Sequence, residues 1–207
     1  MKYLISFLFL ALAFSMKSEA KVTLPSILGD NMVLQQQAEV KLWGKARPNA
    51  TVTVKTSWNG QTYKFSSDGK GGWSLTVSTP VAGGPYKIIF NDGELLTLQN
   101  VLIGEVWFCS GQSNMEMPMG GFDRQPVRGT NDIIAKAKPS TPIRMYTTDS
   151  KDGRWVRQFS KTPVEDCQGE WLENTPVNVS HISAVSYYFA RYIQEVLEGK
   201  RHEHRDS

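Results

Sequence analysis

The sequence predicts a β-sandwich domain over residues 21–103 followed by an incomplete α/β layer over residues 104–199. Three observations carry this. Before Gly104, short runs of alternating apolar and polar residues are separated by Asn-Gly, Asp-Gly and Gly-Gly turns. After Gly104 the order reads strand, helix, strand, helix, the pattern of parallel strands joined by crossovers. That second part holds only two convincing strands, whereas a sheet covered on both faces has about five or six.

The first twenty residues stand apart. Lys2 supplies a positive start, residues 4–14 (LISFLFLALAF) form an uncharged apolar run, and Ser18-Glu19-Ala20 places small residues where a signal peptidase reads. The run is too short for a mature membrane span, so cleavage after Ala20, export to the periplasm or the extracellular space, and no membrane association afterwards are expected. An uncleaved anchor is the other reading. Of the 207 residues, 40% are apolar and 21% charged, which suits a folded chain. The net charge of +3 is spread along the sequence, with no basic footprint for a nucleic acid.

In chain order, residues 39–43 form a short strand and residues 51–56 (TVTVKT) a half-buried one. Asn59-Gly60 predicts a two-residue hairpin turn into a strand at 61–65. Asp68-Gly69 and Gly71-Gly72 precede a strand at 73–77, and strands at 85–90 and 95–103 flank Asp92-Gly93. This part contains no His or Cys and no catalytic constellation. Its Trp43, Trp58 and Trp73 are candidates either for stacking on a glycan or for core packing.

From Gly104 a strand through Val106-Trp107-Phe108-Cys109-Ser110 leads into Gly111-Gln112-Ser113-Asn114. A polar loop reaches Thr130, and a helix is expected over 131–138, with Asp132 at its start and lysines at its end matching the helix dipole. Pro139 stops it, and residues 143–147 form a second strand. Residues 148–178 read as irregular, with Trp155 and Trp171 as anchors. Ile182, Val185, Phe189, Tyr192, Ile193 and Val196 then mark one helical face, with Ser180 as its cap and Gly199 as its stop. Cys109 and Cys167 leave two readings open, a buried free thiol at Cys109 or a bridge between the two.

Ser113 falls where loops at strand ends carry chemistry. A serine hydroxyl attacks only with a base in reach and donors for the oxyanion. Gly111 allows close backbone approach, the Ser113 amide can serve as an oxyanion donor, and Gln112 and Asn114 add polar groups that could contact substrate. Met115 at the last position rules out the Gly-x-Ser-x-Gly elbow of α/β-hydrolases. A turn serine capping the next segment is the structural alternative.

The block GEVWFCSGQSNMEMPM at 104–119, with LPSILGDNMVLQQ at 24–36, Lys41-Leu42-Trp43-Gly44 and Ser183-Ala184-Val185-Ser186-Tyr187-Tyr188-Phe189, resembles the sialate O-acetylesterase family, secreted carbohydrate esterases of the SGNH-hydrolase type. The resemblance implies a flavodoxin-like α/β/α domain joined to a β-sandwich. It implies removal of O-acetyl groups from sialic acid or related acetylated sugars. Ser113 takes the place of the nucleophile, and no metal or organic cofactor is expected.

The resemblance also implies blocks that this sequence lacks. The family's Gly-containing and Asn-containing oxyanion blocks and its Asp-x-x-His block are not found, and the histidines are His181, His202 and His204. His181 is placed by its neighbours at a helix start, where imidazolium is disfavoured, and the other two lie in a polar tail, residues 200–207. The expectation is a chain cut short after about residue 199, weakly active or inactive alone because a triad acts as a unit. A non-catalytic glycan-binding β-sandwich protein is the alternative function.

Overall fold

The computed structural model describes residues 21–148, 150, 151, 154, 155 and 162–203. The leader read at 1–20 and the tail residues 204–207, His204 included, lie outside the described residues. Strands β1 (Val33–Gln35), β2 (Glu39–Lys45), β3 (Thr51–Thr56), β4 (Thr62–Ser66), β5 (Gly72–Ser78), β6 (Gly83–Asn91) and β7 (Leu95–Gly104) come first. They form a five-stranded sheet in the order β1-β7-β6-β3-β4 and a separate β2-β5 ribbon. Only the β1–β7 pair in these two sheets is parallel.

The alternation read from the sequence sets the inward face. Val52 and Val54 of β3, Ile88 and Phe90 of β6, and Leu98, Val101 and Ile103 of β7 are buried, and Leu42, Trp73 and Val77 of the ribbon join them in one core. Each large side chain removed from water there contributes about 1.5–3 kcal/mol. Trp73 is thus a core residue, tilted against Phe65 and Phe90, which removes it from the stacking candidates. Trp58 packs against the same core, edge-on to Tyr86, and donates to the Ser78 carbonyl at 3.1 Å. Trp43 is 38% exposed.

The turn after β3 differs from the two-residue hairpin expected. Only Gly60 has a positive φ (68°), and five residues connect the strands. The Asn59 side chain decides this, because its oxygen accepts from Thr56 Oγ1 at 2.6 Å and from the Gln61 amide at 3.0 Å. An Asx turn has outcompeted the tight one.

The second part comprises α1 (Ser113–Glu116), α2 (Asn131–Ala135), β8 (Arg144–Tyr146), β9 (Ser150–Lys151), β10 (Arg154–Trp155), β11 (Trp171–Glu173), α3 (Pro176–His181) and α4 (Ala184–Glu203). Its core gathers Met119, Ile143, Met145, Val179, Ile182, Ala184 and Tyr187. β8 pairs antiparallel with β11, and β9 with β10, so among the described residues no parallel strand pair forms after Gly104. The expected buried strand at 106–110 is correspondingly exposed and irregular, with Phe108 at 90% exposure. A strand needs a neighbour for its backbone groups, and β8 has taken β11 instead. Cys109 is therefore exposed rather than buried, and both cysteines are free thiols, not a bridge.

The last helix also departs from expectation. Thr175 caps α3, accepting from the Asn178 amide at 3.3 Å, with Pro176 at the first helical position. A new helix then starts at Ala184, where the Ser183 hydroxyl accepts from the Ser186 amide at 3.4 Å. Ser180 instead donates its hydroxyl to the Val177 carbonyl, and α4 runs through Gly199 to Glu203. The helix buries Ala184 and Tyr187, while Val185, Phe189, Tyr192 and Val196 of the expected apolar face are exposed. The Tyr187 hydroxyl donates to buried Asn174 at 2.8 Å, and Asn174 in turn donates to the Lys138 carbonyl. That polar anchor fixes the helix rotation against the wider apolar stripe. No helix among the described residues is long and apolar enough to cross a membrane.

Candidate active site

The Gly111-Gln112-Ser113-Asn114 stretch forms an exposed turn into α1, with Ser113 as the first helical residue. The first amides of a helix have no intrahelical acceptor, and Gln112 makes no side-chain cap, so the Ser113 amide is disposed toward an outside acceptor. The amides of Met115 and Glu116 close the turn on the Gln112 carbonyl at 2.9 and 3.0 Å. Gln112, Ser113 and Asn114 are all exposed. The structure thus brings the four predicted residues together on one open turn.

Gly111 has a different reason from the one expected. A Cβ there would lie 2.9 Å from Met115 Cβ, so the close approach it permits is to its own helix. Met115, which in the sequence serves only to exclude the elbow motif, is the residue that supports this turn. Its thioether accepts from Ser183 Oγ at 3.3 Å and from Ser186 Oγ at 3.1 Å, tying α1 to the first turn of α4. The signal was Ser183 and Ser186 at i, i+3 spacing, which puts both on one helix face.

The loop after α1 is laced to the α3–α4 junction by backbone bonds. Met119 and Gly120 donate to the Ile182 and Ser180 carbonyls, and Ala184 donates to the Met117 carbonyl, all at 2.8 Å. Ser113 therefore sits on a short helix held from two sides, although the strand expected behind it is absent. His181 ends α3, not the start of the last helix as read from the sequence, and its side chain is exposed. His202 lies within α4. No side chain among the described residues bonds to the Ser113 hydroxyl, and no group of three His, Cys, Asp or Glu that could hold a metal occurs among them.

Elsewhere, Ser26 links the two parts. Its amide and hydroxyl donate to Asp166, the hydroxyl at 2.6 Å, and the Tyr146 hydroxyl lies 2.6 Å from the same Ser26 oxygen. Burial first, then the Cys167 thiol at 3.4 Å, pushes the Tyr146 phenol well above its ordinary value.

The fold is similar to that of carbohydrate acetylesterases. The crystal structure of one from Xanthomonas citri superposes with a TM-score of 0.74 at 30% sequence identity, over 85% of this chain and 38% of that one. Among named relatives, the chain is 27% identical over 191 residues to the sialate O-acetylesterases of Homo sapiens and Pongo abelii, and 27% over 197 residues to that of Mus musculus. These alignments take in 84% of this chain, which spans about a third of the length of the curated relatives it matches. No protein-family model matches. The resemblance read from residues 104–119 is thus to the right proteins.

Proposed function

We propose that this chain carries the nucleophile of a carbohydrate O-acetylesterase, with Ser113 attacking the acetyl carbonyl of an acetylated sugar such as an O-acetyl sialic acid. The observation that carries this is an exposed serine at the first position of α1, in a chain similar to sialate O-acetylesterases. Attack by Oγ forms an acyl-oxygen bond, and collapse breaks the ester bond and returns the sugar hydroxyl with a proton. Water then releases acetate from the acyl-serine. The Ser113 amide would hold the oxyanion at the uncapped helix start, and Gln112 and Asn114 would contact the substrate.

The proton acceptor for Ser113 comes from outside the described residues, so these residues alone turn over slowly, about 10⁴-fold or more below a complete triad. Two further readings go with this one. Residues 21–103 form a β-sandwich domain and residues 104–199 part of a flavodoxin-like α/β domain. Residues 1–20 are a cleaved leader that exports the protein, which amino-terminal sequencing of the secreted product would test.

The central experiment is acetate release from O-acetylated sialic acid and from p-nitrophenyl acetate by the wild-type chain and Ser113→Ala. A slow wild-type rate that falls to the buffer background in the variant is expected. Equal rates would take Ser113 out of the reaction, and a full esterase rate would mean that the base lies among these 207 residues.

A further inference from the structure

Asp92 is 5% exposed, and neither of its carboxylate oxygens has a hydrogen-bond partner. Buried polar atoms are nearly always paired, because desolvation without a partner is unfavourable. The residue continues the inward set Ile88 and Phe90 one step past the end of β6, where an apolar side chain would extend the core. An acid at such a position breaks the local pattern, and breaks of that kind gather at functional sites.

Asp92 lies in the wall of a cleft of about 570 Å³ shared with Arg47, Asn49, Thr51, Asn91 and Gly93. That volume is in the usual range for small-molecule sites, about 300–1,000 Å³. Exposed Arg47 donates to the Asp92 backbone carbonyl at 2.8 Å, a bond that uses one of its five N–H donors and does not reach the carboxylate. Gly93, at φ 117°, leaves room for it; a Cβ there would lie 3.4 Å from Arg47 Nη2.

The donor set selects the ligand. Asp92 only accepts, Arg47 only donates, and Asn49 and Thr51 can do both. A metal ion would meet the adjacent guanidinium, and an anion would meet the carboxylate. A neutral polyol satisfies both charges at once, one hydroxyl donating to Asp92 and its neighbour accepting from Arg47.

We propose that this cleft is a subsite for a neutral sugar ring, separate from the Ser113 turn and independent of the esterase reading. The Asp92 oxygens are shielded from solvent, so the ligand reaches them as Arg47 exchanges its single backbone bond for a bond to the sugar.

The test is NMR titration of the isotope-labelled whole chain with methyl β-galactoside, xylobiose and N-acetylneuraminic acid, and separately with calcium chloride. Saturable shifts of the Arg47 and Gly93 amides with a neutral sugar are expected, unchanged in Ser113→Ala. Arg47→Ala, an exposed substitution, and Asp92→Ala should each weaken that binding about five-fold or more. No saturable shift up to about 50 mM sugar would overturn the proposal, since that excludes even a millimolar site. So would binding indifferent to Arg47→Ala, preference for the anionic sugar, or saturation of the same amides by calcium alone.

Discussion

The Ser186 hydroxyl donates to the Met115 thioether at 3.1 Å, joining the helix that bears Ser113 to a helical residue 71 positions further along the chain. Gly111 underlies that contact, because a methyl group there would press on Met115 Cβ at 2.9 Å. Gly111→Ala should lower stability by about 1–3 kcal/mol. Adding Met115→Gly removes the Cβ that the new methyl group meets, so the double variant should lose less than the sum of the two single losses. Urea unfolding of the single and double variants measures this, and strictly additive losses would rule the clash out.

The guanidinium of Arg144 is almost fully buried and pairs with Glu173 at 3.2 Å, while its Nε has no partner. Burial pulls the Arg144 pKa down and Glu173 partly restores it. Removing one member of such a pair is worse than removing both. Glu173→Gln should lose about 2 kcal/mol, tempered by the partial exposure of Glu173, whereas Arg144→Met with Glu173→Met should lose less. Denaturant midpoints of the two variants give the comparison.

Asp68 gathers two amides on its carboxylate. Lys70 and Gly72 donate to its carboxylate at 2.7 and 2.8 Å, which holds its pKa below the ordinary carboxylate value. A depressed folded pKa adds stability above the unfolded value and withdraws it as pH falls through the folded one. The melting temperature of Asp68→Asn should therefore lie below wild type at pH 7, and the gap should close below about pH 4. A gap that widens in acid would contradict this linkage.

Asp166 accepts from the Ser26 amide, the Ser26 hydroxyl and the Gln168 amide. Asp166→Asn removes the charge from these bonds and should lower stability by about 1–2 kcal/mol. Hydrogen exchange should speed up at Ser26 and Gln168 together, because one carboxylate serves both.

The strands before Gly104 were legible because one face is buried, and burial imposes a period of two that Thr51-Val52-Thr53-Val54 displays openly. The turn at Asn59 was not, since an Asx bond competes with a tight hairpin in the same two letters. After Gly104 the apolar runs misled. Val106-Trp107-Phe108 has the composition of a core strand, but composition cannot say whether a partner strand exists. The α4 face failed for the same reason: Val185, Phe189 and Tyr192 are the stronger stripe, yet one buried Asn174–Tyr187 bond set the rotation. The Ser113 turn was legible as a motif, whereas its support by Met115 depended on contacts 68 and 71 residues away.

Trp171 has a lasting consequence for how this protein can be taken apart. It stands late in the chain, yet its indole donates to the Ile27 carbonyl at 2.8 Å and its ring packs on the first core. An excised amino-terminal piece ending at Gly104 would lose that plug along with the Asp166 latch. The two parts are therefore not interchangeable cassettes, and grafting or dissection should keep the late segment with the early strands.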